Sequence, residues 1–284
     1  METRVKAYAK LNLTLSVTGV QDGYHLLDSL VCTVDMFDLI KLRRRKDKLV
    51  SVEMHGRNTE ALPYENNNAV KAAEAFIKAF GTGGVDIKIF KNIPVGAGLG
   101  GSSADISGVI NGMARLYGAG GEKQLKELAD SLGSDTGYLL NGGYARLYGR
   151  GEIVKRIDLK DRLHFLLLVP KSGVSTAECY RLSDAYARGN CNSDCAVSAL
   201  LSCDIAGLGA ELNNDLYAPA AKLNPDVETA FKELSAFAPC GVNMTGSGSG
   251  VYALFESAEM CAYAKSRYRG RFECIQLKSV VPKI

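Results

Sequence analysis

Apolar and polar residues alternate from Val5 to Val17. Val5, Ala7, Ala9, Leu11, Leu13, Leu15 and Val17 fall on one face of a strand, with Lys6, Tyr8, Lys10, Asn12, Thr14 and Ser16 on the other. By this pattern alone the second face is solvated, and Lys10 and Asn12 are ordinary neighbours on it. Further strands are predicted at 28–36, 38–45, 49–54 and 85–89. A helix is predicted from Asn67 to Phe80, with Val70, Ala73, Phe76, Ile77 and Phe80 on one side. Ile106, Val109, Ile110, Met113 and Leu116 give a second helical stripe, and Leu125, Leu128 and Leu132 a third over Glu122–Leu132. Residues 152–162 form a strand and turn out of this half. The rest reads as a strand at 163–169, a helix at 175–188, more helices to about 239, strands at 242–245 and 250–255, a helix at 257–268 and a strand at 272–279.

Between the 85–89 strand and the second helix runs Asn92-Ile93-Pro94-Val95-Gly96-Ala97-Gly98-Leu99-Gly100-Gly101-Ser102-Ser103-Ala104-Asp105. Glycines there let the backbone approach an anion, and Ser102 or Ser103 is the expected N-cap of the helix. A glycine loop emptying into a helix N-terminus is a phosphate cradle. Gly96, Gly98 and Gly101 formally fit a dinucleotide fingerprint. However, a Lys-Asn-Ile-Pro turn intervenes after the strand, and Gly118-Ala119-Gly120-Gly121 lies where the acidic strand end belongs. No Gly-Lys-Ser/Thr follows, which excludes a Walker A loop.

Composition adds bounds. With 284 residues, 46% of them hydrophobic, the chain makes one large domain or two medium ones. A net charge of +3 is too mild for a nucleic-acid binder, and the run Lys41 to Lys46 reads as a solvated strand edge. Phe165 to Val169 is far too short to span a membrane, and no apolar leader follows Met1. Eight cysteines without a secretion signal are expected to be reduced thiols in the cytoplasm. The cluster Cys191, Cys195 and Cys203 lacks the spacing and histidines of a zinc site. Nothing in the sequence speaks to oligomeric state.

Pro94 to Ser103 resembles the second motif of the GHMP kinases. Tyr8-Ala9-Lys10-Leu11-Asn12-Leu13 resembles their first motif, with Tyr8 where proline is usual, and Asn243 to Gly250 resembles the third. Leu132-Gly133-Ser134-Asp135-Thr136 looks like the segment that carries the family's catalytic base, although locally Asp135 reads as an N-cap. Asp22-Gly23-Tyr24-His25 is a turn that looks like the branch acting on diphosphocytidyl polyols. The resemblance implies an α+β fold of two domains, 1–155 and 156–284, with a ferredoxin-like second half and a cleft between them. It implies ATP and Mg²⁺ as cofactors and a cytidine-diphosphate-linked polyol as substrate. The reaction expected is phosphorylation of the 2-hydroxyl of 4-diphosphocytidyl-2-C-methyl-D-erythritol in non-mevalonate isoprenoid synthesis. Lys10 and Asp135 would be catalytic. Pro94, Val95, Gly96, Ala97, Gly98, Leu99, Gly100, Gly101, Ser102, Ser103 and Ala104, with Asn67 and Lys91, would bind ATP, Ser102 or Ser103 helping to hold magnesium. Asn12, Tyr24, His25, Tyr180, Gly246, Ser247 and Gly248 would meet the substrate, although Tyr180 also reads as a core tyrosine on a helix. Three departures stand out. Tyr217 replaces an acid, Gly250 replaces threonine or alanine, and Gly100 to Asp105 reads Gly-Gly-Ser-Ser-Ala-Asp instead of Gly-Gly-Gly-Ser-Ser-Asp/Asn.

Overall fold

The computed structural model describes residues 1–56, 67–186 and 193–282. Its first sheet has eight strands, organised along one long member. That strand, β3 (Tyr24–Arg44), pairs with β1 (Glu2–Asn12) and β2 (Thr14–Gln21). It also pairs with β5 (Val85–Lys91) and β6 (Tyr144–Gly149), while β4 (Val50–Gly56) and β7 (Ile153–Ile157) extend the edges. The two strands expected at 28–36 and 38–45 are thus one. Asp38, at which the second was expected to begin, lies within this strand, fully buried and ion-paired.

The single strand expected over residues 5–17 is two, β1 and β2, and its second face is not solvated. Lys10, Asn12, Thr14 and Ser16 are all buried. A register shift between Tyr8 and Lys10 ends the simple alternation. The second half of the chain covers the face that the pattern assigned to water.

Helix α1 (Asn68–Phe80) starts at Asn67, whose side chain accepts the Ala69 N–H at 2.9 Å. Helix α2 (Gly101–Tyr117) buries Ile106, Val109, Ile110, Met113 and Leu116, as its periodicity requires. Next come α3 (Glu122–Asp130) and the short α4 (Thr136–Leu139). The chain changes sheet between Ile157 and β8 (His164–Val169). The second sheet runs β10 (Gly241–Met244), β11 (Val251–Phe255), β8, β12 (Glu273–Lys278), all antiparallel. With α10 (Ala258–Arg267) between β11 and β12, this is the ferredoxin-like order. The helix expected at 175–188 is α5 (Thr176–Ser183), and 187–188 lie outside the described residues. Among the described residues four more helices come before β10: α6 (Ser193–Leu201), α7 (Ile205–Ala210), α8 (Tyr217–Leu223) and α9 (Pro225–Ser235). Between α7 and α8, β9 (Asn213–Asn214) adds to β2 in parallel, so the second half donates a strand to the first sheet.

One hydrophobic cluster runs through both halves, joining Leu11, Leu30 and Val34 to Leu163, Phe165, Tyr252 and Leu277. The halves also meet through main chain. The β10–β11 turn lies on the glycine loop, where Ser249 and Gly250 donate N–H bonds to the carbonyls of Gly96 and Ala97 at 3.2 and 3.1 Å. The departure at Gly250 has its reason here, since a Cβ would stand 2.6 Å from the Ala97 carbonyl oxygen. Tyr217, the other departure in this half, packs on Phe231 with ring centroids 4.9 Å apart. Among the described residues no helix is long and apolar enough to cross a membrane.

The tightest point of this contact is Gly98, which has φ +73 and would place a Cβ 1.9 Å from the Thr245 carbonyl oxygen. Gly98→Ala is expected to cost about 2–4 kcal/mol, from left-handed strain plus overpacking. Gly81 has φ +64, but nothing lies within 4 Å of where a methyl group would stand, so Gly81→Ala carries strain alone, about 1–2 kcal/mol. Denaturant unfolding of the pair checks this; equal losses would show that the approach at Gly98 leaves room for a side chain.

Candidate active site

The glycine loop borders a cavity of about 340 Å³. Its walls are the end of β4 at Met54, the start of α1 at Asn67 and Asn68, residues 93–103, and Val174, Thr176, Ser247 and Gly248 from the second half. The loop opens into α2 without a side-chain cap. The expected Ser102 or Ser103 cap is replaced by Gly100 at φ 72, and both serines lie inside the first helical turn. Ala104 N–H to the Gly100 carbonyl, 2.8 Å, is the first helical bond. The earlier N–H groups and the positive dipole end are therefore left for a ligand. Ser102 Oγ accepts a hydrogen bond from Asn68 Nδ2 at 2.6 Å, an arrangement that links the two helix starts.

Lys10 reaches this place from β1. Its backbone N–H donates to the Leu99 carbonyl at 3.0 Å, which ties the strand to the loop. Its stem crosses Gly100, where a Cβ would meet Lys10 Cγ at 3.1 Å and Cε at 3.3 Å. The ammonium donates to Asn12 Oδ1 at 2.5 Å and stands 3.4 Å from Asp135 Oδ2. Asp135 occupies the N-cap position of α4, yet its side chain makes no capping bond. Ser107 Oγ on α2 donates to the Thr136 carbonyl at 2.9 Å, so α2 supports the carboxylate's segment as well as the cradle. Lys10 and Asp135 do not line the cavity itself; they stand at the far side of Gly100.

Asn12 is engaged through both ends of its amide. Its Oδ1 accepts from Lys10 and from the Gly246 N–H at 2.9 Å, and its Nδ2 donates to Ser29 Oγ at 2.8 Å. One amide hydrogen remains for a substrate, and the residue mainly holds Lys10. Gly246 is likewise occupied by Asn12, while Ser247 and Gly248 face the glycine-loop cavity, Ser247 bonding Thr176 at 2.8 Å.

Lys91 lines the cavity, but its ammonium is taken. It pairs with Asp38 and, at 2.6 Å, with Asp105. Burial opposes the charge on Lys91, but the two carboxylates outweigh it and raise its pKa. Asp105 is pushed up to about 7, first by burial and then by the neighbouring Asp38, against the pull of Lys91. Asp38 Oδ1 also accepts the N–H groups of Asn92 and Ile93 at 2.6 and 2.9 Å, which fixes the entrance to the loop. The alternation of β3 and the helical stripe of α2 hid Asp38 and Asp105. An acid in an otherwise apolar strand was the available signal.

β3 and α5 bring His25 and Tyr180 together. The His25 and Tyr180 rings lie 5.0 Å apart at 35°. Tyr24 is exposed, with the Arg150 guanidinium 4.7 Å over its ring. The phenol of Tyr180 is raised by burial first and then by the negative charge of Asp135, so this cluster lies within electrostatic reach of the Lys10 pair. His25 Nε2 is 2.8 Å from Asp184 Oδ1, a partner that sequence reading missed. Among the described residues no group of three His, Cys, Asp or Glu could hold a metal ion; Cys195 and Cys203 are exposed, and Cys191 lies outside those residues.

Known proteins show the same arrangement of segments. The family model for the GHMP kinases N terminal domain matches residues 67–148, and that for GHMP kinases C terminal matches 196–268. A 4-diphosphocytidyl-2-C-methyl-D-erythritol kinase of Clostridium kluyveri is 36% identical, over 94% of this chain and 98% of its own. The chain belongs to the GHMP kinase family. A relative of the same name from Caldanaerobacter subterraneus subsp. tengcongensis is 34% identical over 100% of this chain and 98% of its own. The crystal structure of a 4-(cytidine 5'-diphospho)-2C-methyl-D-erythritol kinase superposes with a TM-score of 0.76 at 30% identity, covering 98% of this chain and 99% of that one. A homoserine kinase of Cytophaga hutchinsonii, 19% identical with a TM-score of 0.72, shares the fold. This GHMP kinase is an enzyme that uses ATP as its phosphoryl donor.

The buried Asp38–Lys91–Asp105 group gives a stability test in this GHMP kinase. Asp38→Ala removes one carboxylate and the anchor of Asn92 and Ile93, and is expected to cost about 3–5 kcal/mol. Asp38→Asn should keep the loop anchor and lose less. The ordinary value for Asp105 is 3.8 and its folded value about 7, so between these the folded protein holds a proton that the unfolded chain releases. Its contribution to stability therefore falls as pH rises through that window. Asp105→Asn is expected to flatten this slope in urea titrations at pH values across it; an unchanged slope would mean that Asp105 titrates normally.

Proposed function

We propose that this GHMP kinase transfers the γ-phosphoryl group of ATP to the 2-hydroxyl of 4-diphosphocytidyl-2-C-methyl-D-erythritol. The observation that carries the reading is the Lys10–Asp135 pair, 3.4 Å apart, with Lys10 packed on Gly100 of the glycine loop and Asp135 within electrostatic reach of Tyr180. The relatives named above share the substrate in their names and match nearly the whole chain.

The uncapped first turn of α2 and the backbone of residues 96–103 would hold the polyphosphate. The fit to magnesium is through hydroxyls: Ser102 and Ser103 stand in that turn, and Asp105 is committed to Lys91. A magnesium ion arriving on the nucleotide would neutralise phosphate charge there, with Ser102 or Ser103 as its protein ligand. Asp135 accepts the proton of the attacking hydroxyl. Lys10 positions that carboxylate and has a third N–H for the moving phosphoryl oxygens, which makes it a stabiliser of developing charge. Tyr180 and His25 receive the cytosine, whose flat face suits the one ring and whose polar edge suits the other. The described cysteines are unpaired, which fits a cytoplasmic enzyme.

Incubation with ATP and the cytidyl substrate, beside homoserine and mevalonate, tests the assignment; phosphorylation of either control in preference would overturn it. Asp135→Asn is expected to lower kcat by about 10²–10⁴ while ATP affinity stays within a few-fold. Near wild-type turnover in that variant would remove Asp135 as the base. His25→Ala should raise KM for the cytidyl substrate and leave KM for ATP alone, and steady-state kinetics against each substrate in turn reads this directly.

A further inference from the structure

We infer that Asp184 selects the pyrimidine base by fixing the position of the proton on His25. This rests on the cytosine site proposed above and names a residue that acts behind it.

Helix α5 starts with Ser175, whose Oγ accepts the Glu178 N–H, and ends at Asp184 as its C-cap. Thr176, Tyr180 and Asp184 are spaced four apart and so share one face of the helix. Thr176 borders the glycine-loop cavity, Tyr180 meets the His25 ring, and Asp184 Oδ1 lies 2.8 Å from His25 Nε2. One helix therefore touches both the nucleotide cavity and the base site.

The chemistry of the pair decides the tautomer. An ionised carboxylate has no hydrogen to give, so Nε2 must be the donor and carries the proton. In the neutral ring Nδ1 is then a bare lone pair. Among the described residues Nδ1 has no hydrogen-bond partner. Cytosine presents an amino group at position 4, a donor; uracil presents a carbonyl oxygen there, an acceptor. A ring held with Nδ1 as acceptor matches the first and sets lone pair against lone pair with the second. The His25 side chain is 15% exposed, so that mismatch would be poorly relieved by water.

The competing account is a plain surface contact, which would contribute little and would not read the base. Three variants of the full chain separate them: Asp184→Ala, Asp184→Asn and His25→Ala. Each is assayed at saturating ATP with the cytidyl substrate and with its uridyl counterpart. Asp184→Ala is expected to reduce the cytidyl-to-uridyl ratio of kcat/KM by about tenfold or more, mainly through KM. KM for ATP should not move. Asp184→Asn keeps an acceptor oxygen toward Nε2 and should hold most of the discrimination. Nitrogen-15 histidine spectra should show the Nε2–H tautomer of His25 in the wild-type enzyme and a mixture in Asp184→Ala.

An unchanged ratio in Asp184→Ala, or an Asn variant as damaged as the Ala variant, overturns the role of Asp184. If His25→Ala still raises KM for the cytidyl substrate in that case, the cytosine site stands without it. If His25→Ala leaves that KM unchanged, both fail together.

Discussion

The site depends on one buried ammonium having somewhere to go. Taking the charge of Lys10 out of water costs several kcal/mol unless partners replace the solvent. Asn12 Oδ1 supplies a short neutral acceptor, and Asp135 supplies the opposite charge at a looser distance. Asn12 holds the amine from below and is itself held by Ser29 and the Gly246 N–H. The carboxylate comes from a segment more than a hundred residues later, steadied by Ser107 on α2. Strand, loop, helix and the second half of the chain all converge on this one charge.

A second buried lysine makes the contrast clear. Lys91 stands between Asp38 and Asp105 and is enclosed on both sides. Its charge is spent within the fold, where Asp38 also ties down Asn92 and Ile93. Lys10 has one neutral and one charged partner and keeps a hydrogen free. Fully matched, a buried lysine is a brace; partly matched, it is available to a developing phosphate charge. The difference lies in the number of carboxylates within reach.

Periodicity read the helices well because the apolar positions it picked out on α1 and α2 all pack on the core, and the lone apolar alternation of β1 gave its inner face correctly. It failed where polar residues are buried. Lys10 and Asn12 look solvated in one dimension because the elements that cover them come from distant parts of the chain. The cradle was legible because its glycines and helix are contiguous, but its cap was not: Gly100 in a left-handed conformation takes the place assigned to serine. Lys10, Asp135, His25 and Tyr180 were named through motif resemblance, while Asp184 and Asp105, whose partners lie on other elements, had no local signal.

The junction of the two glycine turns has an evolutionary corollary. Residues 96–98 and 245–250 fit chiefly through carbonyls and amides, with the Thr245 hydroxyl donating to the Gly98 carbonyl at 3.1 Å between them. Such a seam has no room for added side chains at its glycines and none for misalignment of either strand of main chain. When genes for related kinases recombine, a crossover between the two sheets, within 158–163, inherits one lip of the seam from each parent. Viable hybrids will then be those whose parents agree in loop length and curvature at both lips, whatever their overall divergence.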